Sequence, residues 1–145
     1  ACRRAAGRSN RVGLSCGRQP RPEGSDICGP NLSGVGMSGA ALIWSPFADQ
    51  ASAEAAASCL LDEGLIACAN ILPAVHSLYV WQGQRGESME CGALFKTDGS
   101  LLETAVARLA EIHPYDTPAI TGWLCDAAAP PTLAWLGTLT ASPKA

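Results

Sequence analysis

Histidine is scarce: the 145 residues hold only two. Neither stands beside an evident nucleophile, so no catalytic triad can be assembled from the sequence. A Gly-x-Ser-x-Gly elbow, a Walker loop and a GxGxxG turn are all missing, and the chain reads as non-enzymatic. No apolar run approaches the roughly 18–20 residues of a membrane span, so a membrane partner is not expected. The seven cysteines include no C-x-x-C pair among Cys59, Cys68, Cys91 and Cys125, which excludes a zinc ribbon or a thioredoxin-type couple. These four are expected as small buried apolar residues in a reducing compartment.

Residues 1–36 lack apolar side chains, with Val12, Leu14, Ile27, Leu32 and Val35 as the only Val, Ile or Leu. Such a segment cannot bury enough surface to offset chain entropy, and the expectation is a disordered extension before a domain at 37–145. Six arginines against two acids give it net +4, whereas residues 37–145 set four basic residues against eleven acids, net −7. The Arg-rich start fits a transit peptide only loosely, because glycines and prolines spoil an amphipathic helix. The acidic body argues against nucleic acid as a partner.

What is present is a strand-rich centre. Ser77–Trp81 and Met89–Lys96 alternate with period two, and Gln82–Ser88 between them is expected as the turn, with Gly83 and Gly86 supplying positive φ. Pro73 should bend or bulge the preceding strand. Ala40–Trp44 reads as a strand. Gln50–Glu63 reads as a helix capped by Asp49 or Ser45, with Ala51, Ala55, Cys59 and Leu60 as its apolar stripe. A capping box at Ser100 and Glu103 opens a second helix that buries Leu102, Val106 and Leu109 and stops before Pro114. Ala119–Leu124 is another strand. Thr132–Leu139 is a terminal helix packing through Leu133, Trp135 and Leu136, with a fraying tail after it. The order β-α-β-β-α-β plus a short C-terminal helix predicts an α+β, ferredoxin-like fold with both helices on one sheet face. Large apolar groups on the remaining face call for a second copy of the chain as cover.

Four stretches then occur together: GLIACANILP at 64–73, SLYVWQG at 77–83, Glu90 followed by LFKT at 94–97, and HPYDTP at 113–118. In this order and spacing the chain resembles the CutA family of divalent-cation tolerance proteins over about residues 40–139. The resemblance implies a tight PII-like homotrimer, a cytoplasmic location and copper as the associated metal. Ala119 stands where the family usually has Glu. Ser45 and Ile112 stand where some relatives carry the Cys and His proposed as copper ligands. Copper or another divalent cation is therefore expected to bind weakly, through His113 and Cys68.

His113 also reads as a helix-terminal residue capping carbonyls, and Cys68 as a strand core residue. Glu90 and Lys96 share one strand face about 20 Å apart, so each needs a partner elsewhere, across a subunit boundary. Two functions follow. One is a metal-handling trimer. The other is a small-molecule sensor whose intersubunit cleft, built from Lys96, Tyr79, Trp81 and Tyr115, takes an anionic ligand.

Overall fold

The computed structural model describes residues 39–141, and the disordered extension expected at 1–36 lies outside them. Alternation builds the sheet. In β1 (Ala40–Phe47) the side chains of Ala41, Ile43, Ser45 and Phe47 are all inaccessible to solvent. In β3 (Gln84–Asp98) the matching set is Cys91, Ala93, Phe95 and Thr97, and the two strands pair antiparallel with Ile43 opposite Phe95 and Phe47 opposite Cys91. β2 (Cys68–Trp81) flanks β3 and the short β4 (Thr121–Leu124) flanks β1, giving the antiparallel order β2-β3-β1-β4. That order is the ferredoxin-like one expected from the sequence.

Helices α1 (Gln50–Asp62) and α2 (Leu102–Ile112) cover one face, and Leu60, Ala105 and Leu109 join Ile43, Phe47 and Phe95 in the core. The side chain of Asp49 caps α1 by accepting from the Ser52 N–H at 2.7 Å. The apolar stripe of α1 is Ala53, Ala56, Ala57 and Leu60, while Ala51 and Ala55 face solvent. Alanine surrounds this helix and carries no phase information. The one large residue fully buried, Leu60, sets the rotation, since burying a leucine stabilises by about 1.5–3 kcal/mol.

Four further expectations are corrected. The hairpin turn is Gln82 and Gly83 alone, at φ 49° and 76°. Positive φ at both central positions is the tight turn that matches strand twist. Gly86 is inside β3, opposite Tyr79, and a Cβ there would lie 2.6 Å from the Tyr79 ring, so its hydrogen makes room for an aromatic side chain. No capping box forms: Asp98 accepts from the Ser100 N–H at 2.9 Å and from its hydroxyl, holding a short 3₁₀ turn before α2. The terminal helix α3 is longer than expected, Pro130–Ala141, and buries Leu136 but leaves Leu133 and Trp135 exposed. It lies against β3 and β1, and Leu136 stands outside the α1–α2 core cluster, so this helix partly covers the sheet's other face. Finally, Cys91 is the one buried cysteine among those described, with Cys59, Cys68 and Cys125 half-buried.

Pro73 behaves as anticipated. The β2–β3 register jumps between Leu72 and Val75, placing Pro73 and Ala74 opposite Cys91 alone. Such a bulge bends the strand and adds twist. Beyond it the hairpin continues from Val75 to Met89 with few buried side chains.

Candidate functional site

The helix α2 ends where its chain must turn ahead of Pro114, and this delivers His113 to the end of β1. There its imidazole stacks on Phe47 at 4.3 Å and is buried. Nδ1 accepts the Tyr115 backbone N–H at 3.1 Å, so Nδ1 carries no proton and Nε2 does. That Nε2–H donates to the Pro46 carbonyl at 3.1 Å and lies 3.2 Å from the Ser45 hydroxyl. The imidazole thus bridges β1 and the loop rather than capping α2 carbonyls. Burial pushes its pKa below the ordinary histidine value, against the opposing pull of the Pro46 carbonyl and the Glu90 carboxylate. His113 is a neutral brace at neutral pH.

The brace positions Tyr115. Its ring sits 5.0 Å from the His113 ring, and its hydroxyl donates to Glu90 Oε1 at 3.0 Å. Burial, reinforced by that bond and the carboxylate charge, raises the phenol to about 12, so it remains a donor. Glu90, expected to look across a subunit boundary for its partner, finds Tyr115 within the same chain.

Between the hairpin and the segment from Tyr115 to Ala119 lies a cavity of about 670 Å³. Tyr79, Trp81, Glu90 and Tyr115 all line it, with Pro46 and Pro118 as further wall. Four residues singled out from sequence therefore meet at one place. Pro46 was not among them, because nothing in a strand-end proline announces that its carbonyl will hold a histidine 67 positions later.

Lys96 and Cys68 are elsewhere. They are paired neighbours on β2 and β3, in the same rung as Leu42 of β1. Neither lines the cavity. Lys96 is half-buried and its ammonium makes no ion pair or hydrogen bond among the described residues. Cys68 Sγ lies 3.9 Å from Asn70 Oδ1. His113, at the Ser45–Phe47 end of β1, is about four residues of strand rise from the Cys68 rung, on the order of 13 Å.

Copper's fit can be judged from these donors. Cu(II) favours several nitrogen or oxygen ligands in a tetragonal set. Both nitrogens of His113 are already engaged, and Ser45 and Ile112 add no imidazole or thiolate. No group of three or more His, Cys, Asp or Glu able to hold a metal ion occurs among the described residues. One chain by itself does not fit a copper centre. No described helix is long and apolar enough to cross a membrane.

Comparison with known proteins agrees with the fold. The family model described as CutA1 divalent ion tolerance protein matches residues 41–138. The divalent-cation tolerance protein CutA of Pyrococcus horikoshii is 44% identical over 79 residues, 54% of this chain and 76% of that protein. The crystal structure of divalent ion tolerance protein CutA1 from Ehrlichia chaffeensis superposes with a TM-score of 0.67 at 33% identity, covering 72% of this chain and 97% of that one. CutA from Xylella fastidiosa gives 0.66 at 34% identity, over 70% and 98% of the two chains. With nearly the whole described fold matched, the chain belongs to the CutA1 divalent ion tolerance family.

Proposed function

We propose that this chain serves divalent-cation tolerance as a homotrimeric binding protein rather than a catalyst, with its ligand taken in the Glu90–Tyr115 cavity and copper held only weakly. The observation that carries this reading is the hairpin beyond Pro73. Leu78, Val80, Trp81 and Met89 are 59%, 72%, 55% and 63% exposed in the single chain, and they occupy both faces of the ribbon. A two-stranded ribbon of this kind is marginal alone in water, and a patch of this character is normally an interface. Obligate interfaces bury more than the roughly 1,200–2,000 Å² of a standard one, and a long apolar arm supplies such area. The cavity wall built by Tyr79 and Trp81 belongs to the same arm, so assembly and ligand site are joined.

Weak copper follows from donor supply, as the engaged nitrogens of His113 and the lone position of Cys68 leave a partial set. A cytoplasmic location belongs to the same reading. Residues 37–145 form the working domain in this reading, and deleting 1–36 should leave folding and assembly intact.

Sedimentation of the purified protein at micromolar concentration should give a homotrimer mass. Equilibrium dialysis against buffered copper should leave the trimer substoichiometric in tightly held metal, with His113→Ala removing most of what Cu(II) binds. A monomer mass contradicts the assembly. Stoichiometric Cu(II) at nanomolar affinity, untouched by His113→Ala, contradicts the weak-metal reading.

A further inference from the structure

We infer that the cavity between the hairpin and the Tyr115–Ala119 segment is built for a small organic ammonium cation, held over aromatic rings against the Glu90 carboxylate. This deepens the binding role proposed for the cavity and rests on it.

The charge of the lining points to a cation. Among the described residues Glu90 is its one carboxylate, and no lysine, arginine or histidine lines it. Tyr115 stays protonated because its phenol is raised to about 12. An anion entering this space would meet a like charge and no basic partner among the described residues. Lys96, the cation expected from sequence, is about 20 Å along the strand from Glu90.

The apolar part of the lining points to an organic cation rather than a metal ion. Tyr79 and Tyr115 present aromatic surface, and an ammonium group within about 6 Å of a ring centre is attracted by the ring quadrupole. A small divalent ion demands several oxygen or nitrogen donors. Here it would find one carboxylate. A weakly hydrated alkylammonium needs only that counter-charge and the rings. The volume of about 670 Å³ lies in the range of small-molecule pockets, about 300–1,000 Å³.

The groups are also held in advance of any ligand. The Tyr115 hydroxyl fixes Glu90 Oε1, and Oε2 has no partner among the described residues. The Tyr115 backbone is tied to His113 Nδ1 and its ring leans on the His113 ring. The Tyr79 ring lies where a Cβ on residue 86 would stand, so its direction is set by Gly86. Binding then costs little reorganisation.

The test uses the full-length assembled protein and tetramethylammonium as the probe, followed by saturation-transfer NMR at constant ionic strength, with neopentyl alcohol as the uncharged isostere. Tetramethylammonium should bind saturably and at least about fivefold tighter than the alcohol. Glu90→Gln keeps the shape and an acceptor for Tyr115, and should weaken the cation by about tenfold without changing alcohol binding. Tyr79→Leu should weaken it too, whereas Lys96→Met should leave it unchanged. Phosphate and acetate should not compete. Equal affinity for cation and alcohol, no effect of Glu90→Gln, or phosphate binding that Lys96→Met abolishes would each overturn the proposal. Displacement of the probe by micromolar Cu(II) would also overturn it, assigning the site to the metal. Mass measured on the same sample separates the two readings. A homotrimer that binds no cation overturns this inference alone, and a chain that neither assembles nor binds overturns the assembly as well.

Discussion

The sheet is two different structures on either side of Pro73. On the helix side, residues 91–97 of β3 alternate with the regularity of a half-covered sheet, and Cys91, Ala93 and Phe95 are buried in the core that this chain's own helices share. Beyond the bulge the same two strands carry Tyr79 and Trp81 on one face and Leu78, Val80 and Met89 on the other, and these side chains lie outside the core that the described helices build. Hydrogen bonding is alike in the two halves, and the difference lies in what covers the side chains. Backbone pairing makes a ribbon, but burial decides whether the ribbon belongs to one chain's core or to an assembly.

That contrast can be broken from the core side with the largest effect. Phe95→Ala empties a fully buried position at the centre of the core, and should lower unfolding free energy by about 3–5 kcal/mol in chemical denaturation. A loss like that of a surface site would place the stability of the fold somewhere other than the helix-covered half.

A smaller effect is expected at the arm. Gly86→Val puts a branched side chain where the Tyr79 ring lies, a strain of about 1–3 kcal/mol by the usual cost of overpacking. It should lower the protein's thermal midpoint and weaken any ligand bound against Tyr79, while Phe95 and its neighbours keep their near-native spectra. An unchanged midpoint and unchanged binding would show that the ring is not held there.

The junction between the halves is sharpened by pH. In the unfolded chain His113 titrates near its ordinary value of 6.5, and burial depresses it in the fold. As pH falls through 6.5 the unfolded state takes up its proton first, so stability declines on acidification down to the folded value and is flat above. Protonation at Nδ1 also sets two donors face to face with the Tyr115 N–H, loosening the loop that forms one cavity wall. The charge acting on this imidazole is the Glu90 carboxylate, while the solvent-exposed Asp49 acts on the neighbouring Tyr115 phenol. Thermal melts from pH 7.5 to 5 should fall more steeply for the parent than for His113→Gln. Parallel curves would mean the histidine does not carry the acid sensitivity.

Much of the helix-covered half was legible because burial there is local and periodic: Cys91, Ala93 and Phe95 announce their face, and Pro73 announces the bulge. The phase of α1 was not legible, since alanine satisfies a helix on any side and only Leu60 distinguishes one. The turn was placed too wide because two glycines compete for it, and only three-dimensional contact reveals that Gly86 serves the Tyr79 ring. At the site, Tyr79, Trp81, Glu90 and Tyr115 could be named from their alternation and from HPYDTP. The Glu90–Tyr115 bond could not, because the two lie 25 positions apart with a helix between them. Lys96 looked like part of the cleft from its strand face alone, yet strand rise carries it away.

The claim that the outer hairpin is an assembly surface is tested most directly at Trp81, by sedimenting Trp81→Asp beside the parent over a micromolar range. A carboxylate buried in a subunit contact without a partner is costly. The parent should travel as a homotrimer and the variant as smaller species that still unfold cooperatively through the core around Phe95. A parent that sediments as a single chain, or a variant that assembles as tightly as the parent, would contradict the account.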